Sequence, residues 1–202
     1  MRTMMRPAPL KILLALATLA PLSACISFGA KPPASLMTLT SANAVPAGQT
    51  QSSATSPTIT VMVPAVGGAL ATQRVPVSQG ETAIAYVKDA LWVEPPARLF
   101  ARLMADTVAA KTGRVVLSSA QSFADPGARL SGELRQFGVD AGGNQAVVVY
   151  DASLMRSPGH VVEKRRFMAT APLVKVDPAN VGIGLNQAAN QVASDVADWV
   201  GK

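Results

Sequence analysis

Cysteine is almost absent from this chain: Cys25 is the only one in 202 residues. No intrachain disulfide is therefore available, and no cysteine-rich metal site. Histidine is equally scarce. His160, the only one, follows the turn sequence Ser157-Pro158-Gly159; a lone exposed imidazole is a poor metal site and belongs to no local Ser-His-acid set. Acidic residues such as Asp89, Glu94, Asp106 and Asp125 are scattered, and a carboxylate pair suited to glycoside hydrolysis can be drawn on paper in any chain with 12 acids. Gly182-Ile183-Gly184 lacks the third glycine and the preceding strand of a dinucleotide loop. Neither metal nor cofactor is expected, and no enzyme. Aromatic residues are 4% of the chain against 49% apolar residues, so a core has to be built mainly from Val, Leu, Ala and Met.

Acids are missing altogether before Glu81, whereas Arg2, Arg6 and Lys11 flank the start of an apolar run, Ile12 to Leu22. That run is about half of the ~20 residues a membrane span needs, and Pro21 interrupts it. A basic start, a short apolar stretch and then small residues form an export signal. The signal ends on Leu22-Ser23-Ala24-Cys25, the pattern of a bacterial lipobox, in which a peptidase cuts before a cysteine whose sulfur becomes a thioether to lipid. Residues 1–24 are thus read as a signal peptide and Cys25 as the site of palmitate-type acylation. One acyl chain gives reversible attachment, and two or more hold durably. Loss of the three early cations halves the formal charge of +6, which leaves no concentrated basic patch for nucleic acid. Ile26 stands where an aspartate would retain a lipoprotein at the inner membrane in enterobacterial sorting. The expected location is the periplasmic side of the outer membrane, with the inner membrane as the alternative.

Residues 25–57 carry the lipidated cysteine and a Ser/Thr/Pro-rich stretch. Ser35 to Leu39 suggests a short first strand, while Ser41 to Ser56 has no apolar period and reads as a flexible tether or loop. The folded domain is placed at 58–202. Thr58 to Val66 is the first clear strand, followed by Ala71 to Val77, containing Pro76, and Ala83 to Val87. Leu99, Phe100, Leu103, Met104 and Val108 make one stripe on a helix from about Pro96 to Thr112, with proline in the first turn and Gly113 as the end signal. Arg114 to Leu117 is a short strand. Ala128 to Val139 changes phase, which predicts a bulge near Arg135-Gln136 or a break. Gln145 to Met155 and Val161 to Ala169 flank the turn at Ser157 as an antiparallel hairpin. The last helix shows Leu185, Ala188, Val192, Val196 and Trp199 on one face; Asp177-Pro178 looks like its cap, although Gly182 and Gly184 favour a regular start only near Gly184. Together these elements predict an α/β fold: a single compact domain, its sheet mixed or mainly antiparallel, with helices packed on one face.

Two features invite a binding role. Trp92, just before Glu94-Pro95-Pro96, is either a core plug fixing the helix entry or an exposed aromatic anchor for another protein. Lys164, Arg165 and Arg166 form the densest basic run after the signal. In a strand they alternate between faces, and they serve either as a solvated edge or as a contact to acidic partner residues or phospholipid head groups.

With these segments in place the chain resembles the auxiliary lipoprotein component of ABC-type transport systems, the family accompanying MCE-domain proteins in intermembrane lipid transport. The resemblance rests on Leu22 to Cys25, Leu36-Met37-Thr38-Leu39, YVKDALWVEPPARLF from Tyr86 to Phe100, LSGELRQF from Leu130 to Phe137, the hairpin over 146–169 and the closing helix from Leu185 to Val200. The opening strand departs from the family in lacking a tyrosine near position 37. The resemblance implies a non-enzymatic, membrane-anchored periplasmic accessory subunit that contacts an MCE-domain protein of an ABC transport complex, with Trp92, Glu94 and the Lys164 to Arg166 run as candidate contacts. Two competing classes are an envelope-integrity or cell-wall-interacting lipoprotein without a transporter partner, and an envelope-tethered hydrolase.

Overall fold

The structure is a computed structural model that describes residues 35–202 apart from Pro126, Pro158 and His160. The lipobox and Cys25 lie outside the described residues, as does His160. Ten elements follow in order: β1 (Thr58–Val61), β2 (Ala65–Val66), β3 (Arg74–Gln79), β4 (Ala83–Leu91), α1 (Pro96–Thr112), β5 (Val115–Leu117), β6 (Ala128–Asp140), β7 (Gln145–Met155), β8 (Val162–Pro172) and α2 (Pro178–Val200).

All the strands join one mixed sheet organised around β6. Along one side β6 pairs antiparallel with β7 from Arg129 opposite Met155 to Asp140 opposite Gln145, with a register shift between Leu134 and Gln136. The phase change in the sequence is therefore a bulge at Arg135. Along its other side β6 takes three short parallel partners in turn: β1 at Ala128 to Leu130, β2 at Glu133 and Leu134, and β3 at Val139 and Asp140. Thr58 to Val66 is thus two strands. Pro64 separates them, because it cannot donate to a ladder. β5 lies outside β1, β4 outside β3, and β8 completes the hairpin outside β7.

One sheet face is buried under both helices. Leu130, Leu134, Phe137 and Val139 of β6 and Val148, Tyr150, Ala152 and Leu154 of β7 meet Phe100 and Met104 of α1 and Leu185, Val192 and Val196 of α2. Aromatic contacts run through this layer: Trp92 to Phe137 at 5.5 Å, Phe137 to Phe100 at 6.3 Å and Phe100 to Tyr150 at 5.3 Å between centroids. These four aromatics sit together where they bury the most area. At the far end of the layer Lys111 of α1 joins α2 through Ser194 Oγ at 2.6 Å and Asp198 at 2.8 Å.

Two further expectations change. α2 begins at Pro178, not near Gly184: the Asp177 carboxylate accepts from the Asn180 amide at 2.9 Å and caps the first turn. The glycines stay helical because the packing needs them. A Cβ on Gly184 would stand 2.7 Å from Leu173 and 3.1 Å from Ala146, and one on Gly182 3.3 Å from the Met37 sulfur. Tertiary contact overrides their poor helix propensity. The second change concerns the stretch before β1. Thr40 and Ala42 donate their amides to Asn186 Oδ1 at 2.8 Å and Asn190 Oδ1 at 2.7 Å, and Asn190 Nδ2 donates to the Thr40 carbonyl at 2.9 Å. Ser41 meets Thr107 of α1 at 3.1 Å. The start of the Ser41 to Ser56 stretch is therefore held on the helix layer by polar side chains, although it has almost nothing apolar to bury.

Candidate partner-binding surface

Trp92 is fully buried. Its backbone forms an isolated parallel bridge with Met37 and its ring packs on Phe137, so it is the core plug and not an anchor reaching a partner. The reason is positional: β4 ends at Leu91, and Trp92 turns under the start of α1 just where the Pro95-Pro96 pair redirects the chain. The indole N–H finds no acceptor among the described residues.

Glu94, at the lip of α1, forms an ion pair with Arg102 two turns on. The hydrogen bond from Arg102 holds the Glu94 carboxyl below the usual carboxylate range, and the same bond raises the Arg102 guanidinium. Glu94, Arg98 and Arg102 rim a shallow depression of about 550 Å³ whose floor includes Val61, Val63 and Val116, between α1 and the edge strand β5. Glu94 therefore meets solvent as half of an ion pair with its own helix.

The basic run on β8 is split by strand alternation. Lys164 and Arg166 lie on the sheet face that carries no helix, and Arg165 turns to the helix side, its guanidinium carbon 4.9 Å from the Phe167 ring centre. Arg166 grips Asp151 of β7 in a two-pronged bond, Nε to Oδ1 at 2.6 Å and Nη2 to Oδ2 at 2.7 Å. That bond lowers the Asp151 carboxyl and raises the Arg166 guanidinium. Arg135, displaced outward by the bulge, reaches Glu133 at 3.4 Å and Asp151 at 3.8 Å. Ser131, Glu133, Asp151, Ser153, Lys164 and Arg166 therefore make one polar field across three strands, since the registers place Ser131 opposite Ser153 and Ser153 opposite Lys164. A shallow depression of about 510 Å³ lies on it, bordered by Gly132, Glu133, Asp151, Ser153 and Lys164. Lys164 forms no ion pair among the described residues. Beside it β8 offers an outer edge of 11 residues that no described strand pairs.

Sequence reasoning did not find this charge network, because Glu133, Asp151 and Arg166 lie on three strands and meet only once the register is fixed. Nor did it find the brace at the other end of the hairpin. Arg156 donates to Glu163 at 2.7 Å and to the carbonyls of Val200 and Trp199 at 3.2 and 3.3 Å, placing a cation on the negative end of α2. The bond from Arg156 holds the Glu163 carboxyl below its ordinary value. Tyr150 is buried, which pushes its phenol well above its ordinary value, and its hydroxyl donates to the Ser131 carbonyl at 2.9 Å. Each of these groups has a structural partner. Among the described residues no three His, Cys, Asp or Glu side chains gather to hold a metal ion, and no helix is long and apolar enough to cross a membrane. The arrangement is equipped for contact: a flat charged sheet face, an open strand edge and a rigid backing of two helices.

The family model described as "ABC-type transport auxiliary lipoprotein component" matches residues 38–197. Among solved structures, a protein from Xanthomonas campestris superposes with a TM-score of 0.63 at 20% identity, over 82% of this chain and 94% of that one. An uncharacterised protein gives a TM-score of 0.58 at 19% identity, over 71% and 90% of the respective chains. At such identities these two structures share the fold and nothing finer. No curated protein matches the chain.

Proposed function

The chain belongs to the family of ABC-type transport auxiliary lipoprotein components, and from that membership we propose that it is a non-enzymatic periplasmic accessory subunit of an MCE-associated intermembrane lipid transport system. The family match over nearly all of the domain is the observation that carries the proposal. Cys25, with Leu22, Ser23 and Ala24 before it, anchors the subunit by lipid on the periplasmic side of the outer membrane. The permease and ATPase that drive transport are separate proteins, and this subunit docks or steadies the route.

The partner surface is the helix-free face of β6, β7 and β8. Among the described residues Lys164 is its cation without an ion-pair partner, and Arg166 is a cation paired with the Asp151 carboxylate. An acidic surface on the MCE-domain protein would exchange its water for Lys164 and compete for Arg166, which makes the association fall with salt. Mild crosslinking of intact envelopes followed by affinity recovery of this chain should bring down an MCE-domain protein, and Lys164→Glu should reduce the yield. Recovery of peptidoglycan without any transport protein would favour a cell-wall role instead. Cys25→Ser should abolish palmitate labelling and leave the precursor uncleaved; a variant that keeps its label would remove the anchor from the scheme.

A further inference from the structure

We propose that the end of the domain around the N-terminus of α2 is the face turned to the lipid surface, with Val174 and Ile183 seated at the headgroup boundary. The proposal rests on the Cys25 anchor above and adds an orientation to it. The first described residues are pinned at this end. Met37 donates its amide to the Leu91 carbonyl at 2.8 Å, accepts from the Val93 amide at 2.9 Å, and lays its sulfur against Gly182 in the second turn of α2. Cys25 is ten residues before Ser35, a reach of at most about 35 Å even if fully extended, so the anchor draws the point where the chain enters the domain toward the bilayer.

That point is ringed by apolar side chains in water. Val174, in the connection from β8 to α2, is 94% exposed and Ile183 on the outer side of α2 is 70% exposed, with Leu36 at 48%. None of them contributes to the core, whose contacts on α2 come from neighbours such as Val181 and Leu185. Lys175, between Val174 and Val176, brings a cation to the level of lipid phosphates. Exposed apolar tips beside a cation are what a surface-seated domain presents to a bilayer. Another exposed apolar side chain, Phe123 at 91%, supplies the internal control. It sits beside the start of β1, where Thr58 Oγ1 donates to Asp125 at 3.3 Å. Val174 follows the end of β8, level with the β6–β7 turn, through the Leu173 amide bonded to the Asn144 carbonyl. The two positions are at opposite ends of β6, about 40 Å apart along a 13-residue strand.

The test uses the mature lipidated chain in phosphatidylethanolamine–phosphatidylglycerol vesicles with brominated acyl chains. Trp92 and Trp199 are both buried and give a constant background. The tryptophan of Val174→Trp should lose about half its added emission in brominated vesicles, as a side chain at the headgroup boundary would, and that of Phe123→Trp should lose none. Equal quenching at both positions, or quenching at 123 alone, overturns the orientation. Palmitate labelling of the same preparation separates the two ideas. A labelled protein with an unquenched tryptophan at 174 refutes the orientation alone and leaves this end to a protein partner, whereas an unlabelled protein removes the anchor and the orientation with it.

Discussion

Asn190→Ala tests whether the polar strap before β1 belongs to the fold. Asn190 holds that strap by two hydrogen bonds, its Oδ1 accepting from the Ala42 amide and its Nδ2 donating to the Thr40 carbonyl, while Asn186 keeps a third by accepting from the Thr40 amide. A neutral hydrogen bond nets roughly 0.5–1.5 kcal/mol. Because the site is open to water on one side, the pair together is worth about 1–2 kcal/mol, less a few tenths returned by the better helix propensity of alanine. About 1.4 kcal/mol is a tenfold change in an opening equilibrium. The amide of Ala42 should therefore exchange with deuterium roughly tenfold faster in the variant, and the melting temperature should fall by about 2–6 °C for a domain of this size. Adding Asn186→Ala should cost less than it does alone, because the strap it would release is already loosened. An Ala42 exchange rate that does not move would show that the strap does not depend on Asn190. The stretch would then be the simple tether its composition suggests.

Other substitutions test separate parts of the fold. Leu103→Asp places an unpaired carboxylate among fully buried side chains and should cost about 4 kcal/mol or more, seen as loss of a cooperative melting transition; a melting temperature within a few degrees of the parent would refute the register of α1. Gly132→Ala drives a Cβ into the Asp151 carbonyl and to 2.8 Å from the Tyr150 ring. It should destabilise by about 1–3 kcal/mol and change the near-ultraviolet signal of Tyr150, and a neutral result would show that the β6–β7 pair relaxes more freely than its close approach implies. Asp177→Ala should lower the melting temperature at neutral pH. The amide and side chain of Asn180 hold the Asp177 carboxyl below its ordinary 3.8, so its contribution is complete above about pH 4 and is lost as pH falls through the depressed value. The gap between parent and variant should be constant from pH 7 to about 5 and close in acid; a gap that widens on acidification would mean that Asp177 does not cap α2 as a carboxylate.

The sequence was most legible where one periodicity spans a whole element. The stripe from Leu99 to Val108 fixes α1 to the residue, because a proline opens it and a left-handed glycine at φ 67° closes it. The β7–β8 hairpin and the bulge in β6 follow from two-residue alternation and its single interruption. Legibility failed where a neighbour distant in sequence decides the outcome. The N-terminal turns of α2 contain two glycines that look like breakers until Leu173, Ala146 and Met37 are seen against them. The strap at Thr40 to Ala42 has no apolar period because its partners are amide side chains 146 and 148 residues away. Lys164, Arg165 and Arg166 are contiguous in sequence and look like one patch, yet they stand in three different environments. Only alternation together with the β7 register separates the cation without an ion pair among the described residues, the ring-stacked one and the one paired with Asp151.

The same distinction determines what Trp92 and Glu94 can say about function. The run from Trp92 to Pro96 carries much of the family resemblance, and an aromatic beside an acid is a familiar form of recognition motif. In the folded chain Trp92 lies under α1 against Phe137, and Glu94 is bonded to Arg102 at the surface. The Trp92 ring is fully buried, and the area it removes from water is its contribution to the fold. The motif consequently reports how β4 hands the chain to α1. Positions the core does not constrain include the outward residues of β6, β7 and β8 and the exposed Val174 and Ile183 around the start of α2, and these are where the proposed contacts lie.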